Sequence, residues 1–294
     1  MAGIKEIQKR RKGAVSTRKI TKTMGMIAAS KFRKAMDRAE GATPYINTIN
    51  QLVVDLMSQA SFQHPLLEKR EKVKKEIIFL VTSNQGLCGS YNSNLNKLAK
   101  KTIEESSDHQ VDFHISGKKG ISYFKTSLTP VTKKYTDFSE TGAFEPIEAI
   151  AQQFIDAYSR KEVDRISVIY SKFISSSKQF STLETLLPFT LDKAQSVQTP
   201  ASMSTEKGKV DFLYIPSPAE ILEELLPQAV KAKFFKYFLD AIASEHVSRM
   251  VAMKSATDNA DKMIKKLTQL YNRARQSKIT MEILEILGGA EAIS

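Results

Sequence analysis

The sequence of 294 residues has little cysteine, and it has no apolar run long enough to cross a membrane. Cys88 is the single cysteine, so no internal disulfide can form, which fits a reducing compartment. No apolar run approaches the roughly 18 residues of a membrane-spanning helix. The first residues, MAGIKEIQKRRKG, lack the apolar centre of a secretory signal. The sequence therefore predicts a protein that does not span a membrane.

Motifs for catalysis or cofactor binding are also scarce. The segment GLCG at residues 86–89 follows an apolar run, but its spacing is neither GxGxxG nor GxxxxGK[ST], so we interpret it as a tight turn. Cys88 has no base beside it that would activate a nucleophile, and we expect a small, half-buried thiol. The four histidines show no metal-ligand spacing with carboxylates or with the cysteine. The sequence thus indicates no catalytic residue, no cofactor and no metal site.

Glycine and proline are absent from residues 228–287, near the end of the chain. A heptad pattern runs through this segment from Phe235 to Leu284, and 12 of its 15 core positions are apolar, Met263 and Leu270 among them. His246, Arg249 and Ser277 are the exceptions. A sustained period of 3.5 residues predicts a long helix that packs one seam against a partner helix with left-handed supercoiling.

The beginning of the chain repeats this pattern. A series with the same alternating spacing runs from Ile4 to Leu56, and 12 of its 16 members are apolar. The four exceptions cluster between Arg11 and Gly25. The sequence therefore predicts a second long helix of similar length.

Two features of this first helix predict irregularity. Around Gly25 the apolar residues shift to Ile20, Met24 and Ile27, so we expect the seam to drift or the packing to loosen there. Gly25 itself should cost about 1 kcal/mol of helix stability relative to alanine. Pro44 predicts a kink or a restart of the helix.

The middle of the chain has the pattern of an α/β domain. Short apolar or alternating segments, each typical of a strand, occur at Ile77–Val81, Val111–Ile115, Ile166–Tyr170 and Val210–Tyr214. Segments with a helical pattern lie between them, at Asn92–Glu105 and Glu145–Tyr158. Alternation of strands and helices predicts a largely parallel sheet. Asp192–Lys209 is polar, and we predict a mobile loop there.

Two long helices with the same period, at opposite ends of one chain, favour a single arrangement. The fold class we predict is α/β plus a long antiparallel coiled coil, with the N- and C-terminal helices paired and a Rossmann-like α/β domain inserted between them. The predicted domains are residues 1–58 for the N-terminal helix, 75–214 for the α/β body, and 219–288 for the C-terminal helix, with an apolar tip to 294. Small residues in both seams, such as Ala28 and Ala256, would allow a close approach.

Positive charge is concentrated at the start of the chain. Of the net charge of +12, residues 1–40 carry +9 (12 Lys and Arg against three acids), which leaves +3 for the other 254 residues. Such a segment is either a solvated helix face or a surface for an anionic partner, which could be nucleic acid, acidic lipid or acidic protein loops. A nucleic-acid-binding protein is one alternative, although residues 1–31 contain no aromatic residue for stacking. An α/β enzyme with a helical dimerisation arm is another, although it lacks a site for chemistry.

Four motifs together resemble the γ subunit of F-type ATP synthases. They are ITKTMGMIAASK at 20–31, QGLCGSYN at 85–92, SEHVSRMVAM at 244–253 and NRARQSKIT at 272–280. These motifs follow the order of that family and cover the chain from end to end. The resemblance is to its bacterial members.

This resemblance implies the central rotor of the synthase. The rotor couples ion-driven rotation of the membrane c ring to conformational cycling of the catalytic β subunits in ATP synthesis, and the reverse on hydrolysis, and is not itself an enzyme. The implied partners are three α and three β subunits around one copy, the ε subunit and the c ring, without nucleic acid. The implied location is peripheral, at the cytoplasmic face of the bacterial plasma membrane.

The resemblance also implies which residues contact the α/β ring. Arg275 and Gln276 match residues thought to bond to β-subunit loops, and the end of the helix matches a tip held in an apolar bearing. Basic residues near the start match a region that meets acidic β loops, and one methionine lies next to that contact. The expected contact residues are Lys9, Arg10, Arg11, Met24, Arg275, Gln276, Ile279, Ile283, Ile286 and Leu287.

Overall fold

A computed structural model of the chain describes residues 3–59, 64–126, 129–136, 143–190 and 217–291. The helices are α1 (Ile4–Gln59), α2 (Tyr91–Glu105), α3 (Lys118–Lys125), α4 (Phe144–Ser159) and α5 (Pro218–Glu291). The strands are β1 (Lys75–Val81), β2 (Gln110–Ser116), β3 (Lys133–Tyr135), β4 (Arg165–Ser175) and β5 (Lys178–Leu187). The chain divides into two compact units, Met1–Ser30 with Arg249–Ser294 (the helical unit) and Lys31–Ser248 (the α/β unit).

The sheet of the α/β unit has the strand order β3-β2-β1-β4-β5. Strand β1 pairs in parallel with β2 and β4, β2 pairs in parallel with β3, and β4 pairs antiparallel with β5. This order is the one found in doubly wound dinucleotide-binding folds, with a switch point between β1 and β4. The Rossmann-like part of the predicted fold class is therefore confirmed.

Apolar residues of β1 face both sides of the sheet, because successive side chains of a strand alternate. Ile77, Phe79 and Val81 join a core with α4, the end of α1 and the first half of α5. Ile78 and Leu80 join a second core with α2 and α3. Helices cover both faces of the parallel strands, and this explains why β1 reads as a continuous apolar run.

The helical unit consists of antiparallel segments of α1 and α5. Thr21 and Thr257 place their hydroxyl oxygens 2.8 Å apart, and Arg18 Nε lies 2.5 Å from Asp261 Oδ1. As the α1 residue number rises, the number of its α5 partner falls, so the two helices run in opposite directions. The paired-helix part of the predicted fold class is confirmed.

For each of the two predicted irregularities of α1, one form is wrong, while looser packing at Gly25 and a kink at Pro44 stay predictions. The seam does not drift near Gly25, because Thr21 is buried against α5 while Ile20 and Ile27 are exposed. A hydroxyl pair fills the seam where an apolar pair was expected. The helix also does not restart at Pro44, since α1 continues through it from Ile4 to Gln59.

The body strands and helices are confirmed at β1, β2, β4, α2 and α4, each within a few residues of the predicted bounds. The sequence analysis did not predict α3, β3 or β5. The predicted loop at 192–209 and the predicted strand at 210–214 lie outside the described residues. The domain limits 1–58, 75–214 and 219–288 stay a prediction.

Replacement of Gly25 by alanine is expected to stabilise the helical unit by about 0.5–1 kcal/mol, the usual difference between glycine and alanine inside a helix. A Cβ atom at this position would lie 3.5 Å from Met253 Cβ, which is an ordinary contact. Hydrogen exchange of the amides at residues 20–30 in the full chain would measure the change as slower exchange.

Gly117→Ala provides the opposite case in the α/β unit. Gly117 has a φ of +98°, and a Cβ atom there would lie 2.1 Å from the Thr82 carbonyl oxygen, so this variant is expected to unfold more easily.

Faster exchange at residues 20–30 in the Gly25→Ala variant would show that the seam has no room for a methyl group.

Candidate partner-binding surfaces

The basic group at the start of α1 lies on the helical unit. Lys9 and Arg10 are exposed, and Arg10 Nη2 lies 2.6 Å from Glu6 Oε1 one turn earlier. Arg11 is half-buried, because its guanidinium carbon lies 5.1 Å from the ring centroid of Tyr271 on α5. This stacking is a cation–π contact that holds Arg11 against α5. Lys9 is exposed, and Arg10 is held only by its exposed pair with Glu6, so both can face a partner.

The end of α5 carries the other expected contact residues. Every residue from 275 to 289 is exposed, including Arg275 and Gln276. The apolar residues of this segment that match the family's tip are exposed between 47% and 71%, and they are Ile279, Ile283, Ile286 and Leu287. Spacings of three and four residues place them on neighbouring positions of one helix face. The tip therefore presents an apolar face that the described residues do not cover.

The structure brings some of these residues together and separates others. Arg11 contacts Tyr271, which lies one helical turn before Arg275, so the basic group and the polar pair at 275–276 belong to one region. Met24 lies roughly 20 Å further along α1 at 1.5 Å per residue. It is half-buried, so it forms a separate element of the surface.

The predicted seam of α5 is wrong by one residue in its second half. Met263 and Leu270 were assigned to the seam, but they are 57% and 44% exposed. Ile264 and Tyr271 are half-buried in their place. A helix with 3.6 residues per turn, counted from the buried Met253, reaches the seam near 264 and 271, whereas a strict 3.5-residue repeat reaches 263 and 270.

The outward residues form stripes that the sequence analysis did not recognise. Ile20 and Ile27 on α1 are seven residues apart and exposed, and the same is true of Met263 and Leu270 on α5. Residues at this spacing lie on one face of a helix. The signal was present in the sequence as two apolar series one residue apart, and only the contact with the partner helix decides which series is buried.

The GLCG loop is braced internally. Cys88 is buried, whereas a half-buried thiol was expected. Asn92 Nδ2 lies 3.2 Å from the Cys88 sulfur and 2.7 Å from Ser83 Oγ. The Ser83 backbone N–H donates to Asn92 Oδ1 at 3.1 Å. Leu87, with a φ of 63°, is exposed at the tip. The polar groups of this loop are used to hold its shape.

The switch point of the sheet is covered by α5. Ligands of doubly wound folds bind beside the carboxyl ends of the strands, where the strand order reverses. Here Tyr91, which follows the loop after β1, donates to the Ala241 carbonyl oxygen at 3.2 Å. Ser244 donates to the Ser171 carbonyl oxygen at 3.0 Å, at the same end of β4. A helix of the chain thus lies where dinucleotide-binding proteins hold their ligand.

A buried charge network lies at the opposite end of the strands. Glu76 is 2% exposed, and its carboxylate accepts hydrogen bonds from Arg165 Nη2 and Ser167 Oγ, each at 2.5 Å. His109 Nε2 lies 2.9 Å from the same carboxylate, and its Nδ1 lies 2.6 Å from Asp108 Oδ1. Burial raises the pKa of Glu76, but hydrogen bonds from Arg165, Ser167 and His109 outweigh it and hold the pKa below its ordinary value.

Two further classes of site are a metal centre and a membrane-spanning helix. In the described ranges, no group of three or more His, Cys, Asp and Glu side chains is arranged to hold a metal ion. Over the same ranges, none of the helices combines the length and the apolar character that crossing a membrane requires.

Two long helices from opposite ends of the chain pair antiparallel, and an α/β unit lies between them in the sequence. This architecture indicates a protein with a mechanical role. The family described as "ATP synthase" matches residues 3–293. The ATP synthase gamma chain of Rhodopirellula baltica is 42% identical over 297 residues, covering 100% of this chain and 99% of its own. The chain belongs to the ATP synthase gamma chain family.

Solved structures agree with this fold. A chain of the Euglena gracilis mitochondrial ATP synthase (OSCP/F1/c-ring, rotational state 3) has a TM-score of 0.67 at 20% identity, covering 99% of this chain and 94% of its own. A chain of the Tetrahymena thermophila mitochondrial ATP synthase (central stalk/c-ring) has a TM-score of 0.56 at 20% identity, covering 81% and 99%. The protein is the central-stalk rotor subunit of an F-type ATP synthase, and it is not itself catalytic.

Proposed function

We propose that the helical unit meets the ring of α and β subunits through two kinds of surface. An apolar tip would turn in an apolar bearing, and a polar and basic collar would contact the loops of the β subunits. The residues proposed for these contacts are Lys9, Arg10, Arg11, Met24, Arg275, Gln276, Ile279, Ile283, Ile286 and Leu287.

The exposed tip carries this proposal. Four large aliphatic side chains at the end of a 74-residue helix are exposed between 47% and 71%. Contiguous exposed apolar surface of this kind marks an interaction site in soluble proteins. An apolar partner also suits rotation, since dispersion contacts lack the directionality of hydrogen bonds and do not hold a rotor at one angle.

The collar would supply the angle-dependent contacts. Arg275 and Gln276 carry donors for carboxylate and carbonyl oxygens, and Lys9 and Arg10 add positive charge one turn of α5 away. Acidic β loops would be attracted to this side of the rotor. Because one copy of the collar would lie inside three β subunits, each β subunit would meet a different face of it as the rotor turns, which is the asymmetry that conformational cycling requires.

The partners in the complex are the α and β subunits, the ε subunit and the c ring. We propose residues 1–58 and 219–288 as the shaft and 75–214 as the body that joins ε and the c ring. We further propose that the chain lies peripherally at the cytoplasmic face of a bacterial inner membrane. Ion flow would turn the c ring, and the shaft would transmit that rotation to the β sites.

Replacement of Ile279 and Ile283 by serine tests the tip. Each side chain is about half exposed before assembly, so loss of its burial in the bearing should cost about 1 kcal/mol, and the pair should leave the ring more than tenfold faster. The measurement is the release of labelled chain from an immobilised α3β3 ring after addition of unlabelled chain.

A double variant of the α/β unit, Ile174→Ser with Leu183→Ser, is the matched control. These two side chains are 55% and 41% exposed, and they lie outside the proposed contact. Equal release rates for the two double variants would refute the apolar bearing.

A further inference from the structure

A pocket opens at the end of the sheet where the parallel strands begin. It has a volume of about 700 Å³ and lies within the α/β unit. The segment before β1, the turn before β2 and the start of β4 supply its lining, which includes Glu71, Lys72, Lys74, Asp108, His109 and Arg165. This volume is within the range of small-molecule sites. It is remote from the GLCG loop, which follows the other end of β1.

The lining holds cationic groups whose bonding capacity is unused. Lys72 and Lys74 are exposed and form no ion pair within the described ranges. Arg165 is fixed by its Nη2 bond to Glu76, and its side chain is still 36% exposed, so the rest of its guanidinium is open to an acceptor in the pocket.

The acidic groups of the lining do not cancel this charge. Asp108 lies 2.6 Å from His109 and is already engaged, and Glu76 behind the wall is engaged by Arg165 and His109. Glu71 is the remaining carboxylate, against Lys72, Lys74 and the partly used Arg165. The free hydrogen-bonding groups of the pocket are thus mostly cationic donors.

We propose that this pocket binds a phosphate group, with Lys72, Lys74 and the guanidinium of Arg165 as donors. Phosphate oxygens are strong acceptors that match arginine and lysine donors. The group could belong to a soluble phosphate compound or to a phospholipid headgroup, since both present the same oxygens. The site is independent of the contacts between the rotor and its ring.

Binding of inorganic pyrophosphate to the full chain is measured by calorimetry in about 100 mM salt, where exposed charges are largely screened. The double variant Lys72→Gln with Lys74→Gln is expected to bind at least tenfold more weakly. Arg165→Lys keeps a positive charge beside Glu76 but lacks the planar guanidinium that can hold Glu76 and a phosphate at once, and it is expected to bind several-fold more weakly. Circular dichroism of each variant confirms that it is folded.

The control is Lys100→Gln with Lys101→Gln, which removes the same charge from exposed positions of α2. Its affinity should change less than twofold. A second arm measures sedimentation of the chain with phosphatidylglycerol vesicles.

Pyrophosphate binding that the Lys72/Lys74 variant loses and the control keeps supports a soluble ligand. Vesicle binding that the Lys72/Lys74 variant loses and the control keeps, without pyrophosphate binding, supports a phospholipid headgroup. No binding in either arm, or equal loss in the two lysine pairs, overturns the proposal.

Discussion

A covalent link from position 275 to the surrounding ring is expected to stop rotation completely. Arg275→Cys would be labelled with a maleimide that carries a benzophenone, then assembled with α and β subunits and illuminated. Arg275 is exposed on α5, so the label can reach a neighbouring subunit. Cys88, the single natural cysteine, is buried and should stay unlabelled. Mass spectrometry should find the product on a β subunit, and a bead on the shaft should stop turning.

A link within the shaft is expected to have no such effect. Thr21 and Thr257 place their hydroxyl oxygens 2.8 Å apart across the seam, so cysteines at these two positions would hold their sulfur atoms close together for oxidation to a disulfide. Since the paired segments of α1 and α5 form one compact unit, they should turn together. The oxidised Thr21→Cys/Thr257→Cys variant should therefore rotate at the speed of its reduced form.

Two controls separate the link from its side effects. The labelled Arg275→Cys complex kept in the dark should rotate, which excludes damage by the label itself. Benzophenone at Lys100→Cys, on an exposed face of α2, should leave rotation unchanged after illumination. Continued rotation of a complex in which position 275 is linked to β, or arrest by the disulfide within the shaft, would contradict the proposed contact.

The two long helices could be predicted from the sequence because their cause is local. Absence of glycine and proline over 60 residues and a repeated apolar spacing are sufficient to indicate a helix with one buried seam. Strands β1 and β4 were equally clear, because they are buried on both faces and their central residues are almost all apolar. Helix α3 and strand β5 were missed, since α3 has eight residues and β5 is half-exposed, so neither has a strong pattern.

The choice of buried residues in the seam could not be predicted in full. Two apolar series lie one residue apart on α5, and Met263 and Ile264 are equally suitable by their chemistry. The seam at Thr21 depends on a hydroxyl partner 236 positions away, which no local pattern reveals. The contact residues themselves could be named only through the family resemblance, because an exposed tip can be recognised as a contact surface only when the ring around it is known.

Glu76→Ala is expected to destabilise the α/β unit by about 2–3 kcal/mol. Removal of one partner from a fully buried ion pair costs about 3–5 kcal/mol, because the other charge loses its compensation. Arg165 is 36% exposed and can turn towards water, so the expected cost lies at or below the lower limit of that range. In the sequence Glu76 follows two lysines and resembles a surface residue; its burial arises from Arg165 and Ser167, some 90 positions later.

Glu76→Gln separates the charge from the hydrogen bonds, since the amide oxygen can still accept one. The pKa of Glu76 lies below its ordinary value in the folded protein, so the charged form stabilises the fold at neutral pH. This contribution is fully present above the ordinary value of about 4.5 and is lost as the pH falls through the lower folded value. The stability difference between the natural chain and Glu76→Gln should therefore be constant from pH 7 to pH 5 and shrink below about pH 4.5.

Urea unfolding of the full chain, followed by the near-ultraviolet circular dichroism of its nine tyrosines, measures these differences. Glu104→Gln is the matched control, because Glu104 is exposed and its nearest cation, Lys100 Nζ, is 3.7 Å away in a surface pair. It should unfold at the same urea concentration as the natural chain at every pH. A Glu76→Gln variant whose stability difference grows on acidification would mean that the buried carboxyl is protonated in the native state, and that Arg165 and His109 do not hold it as an anion.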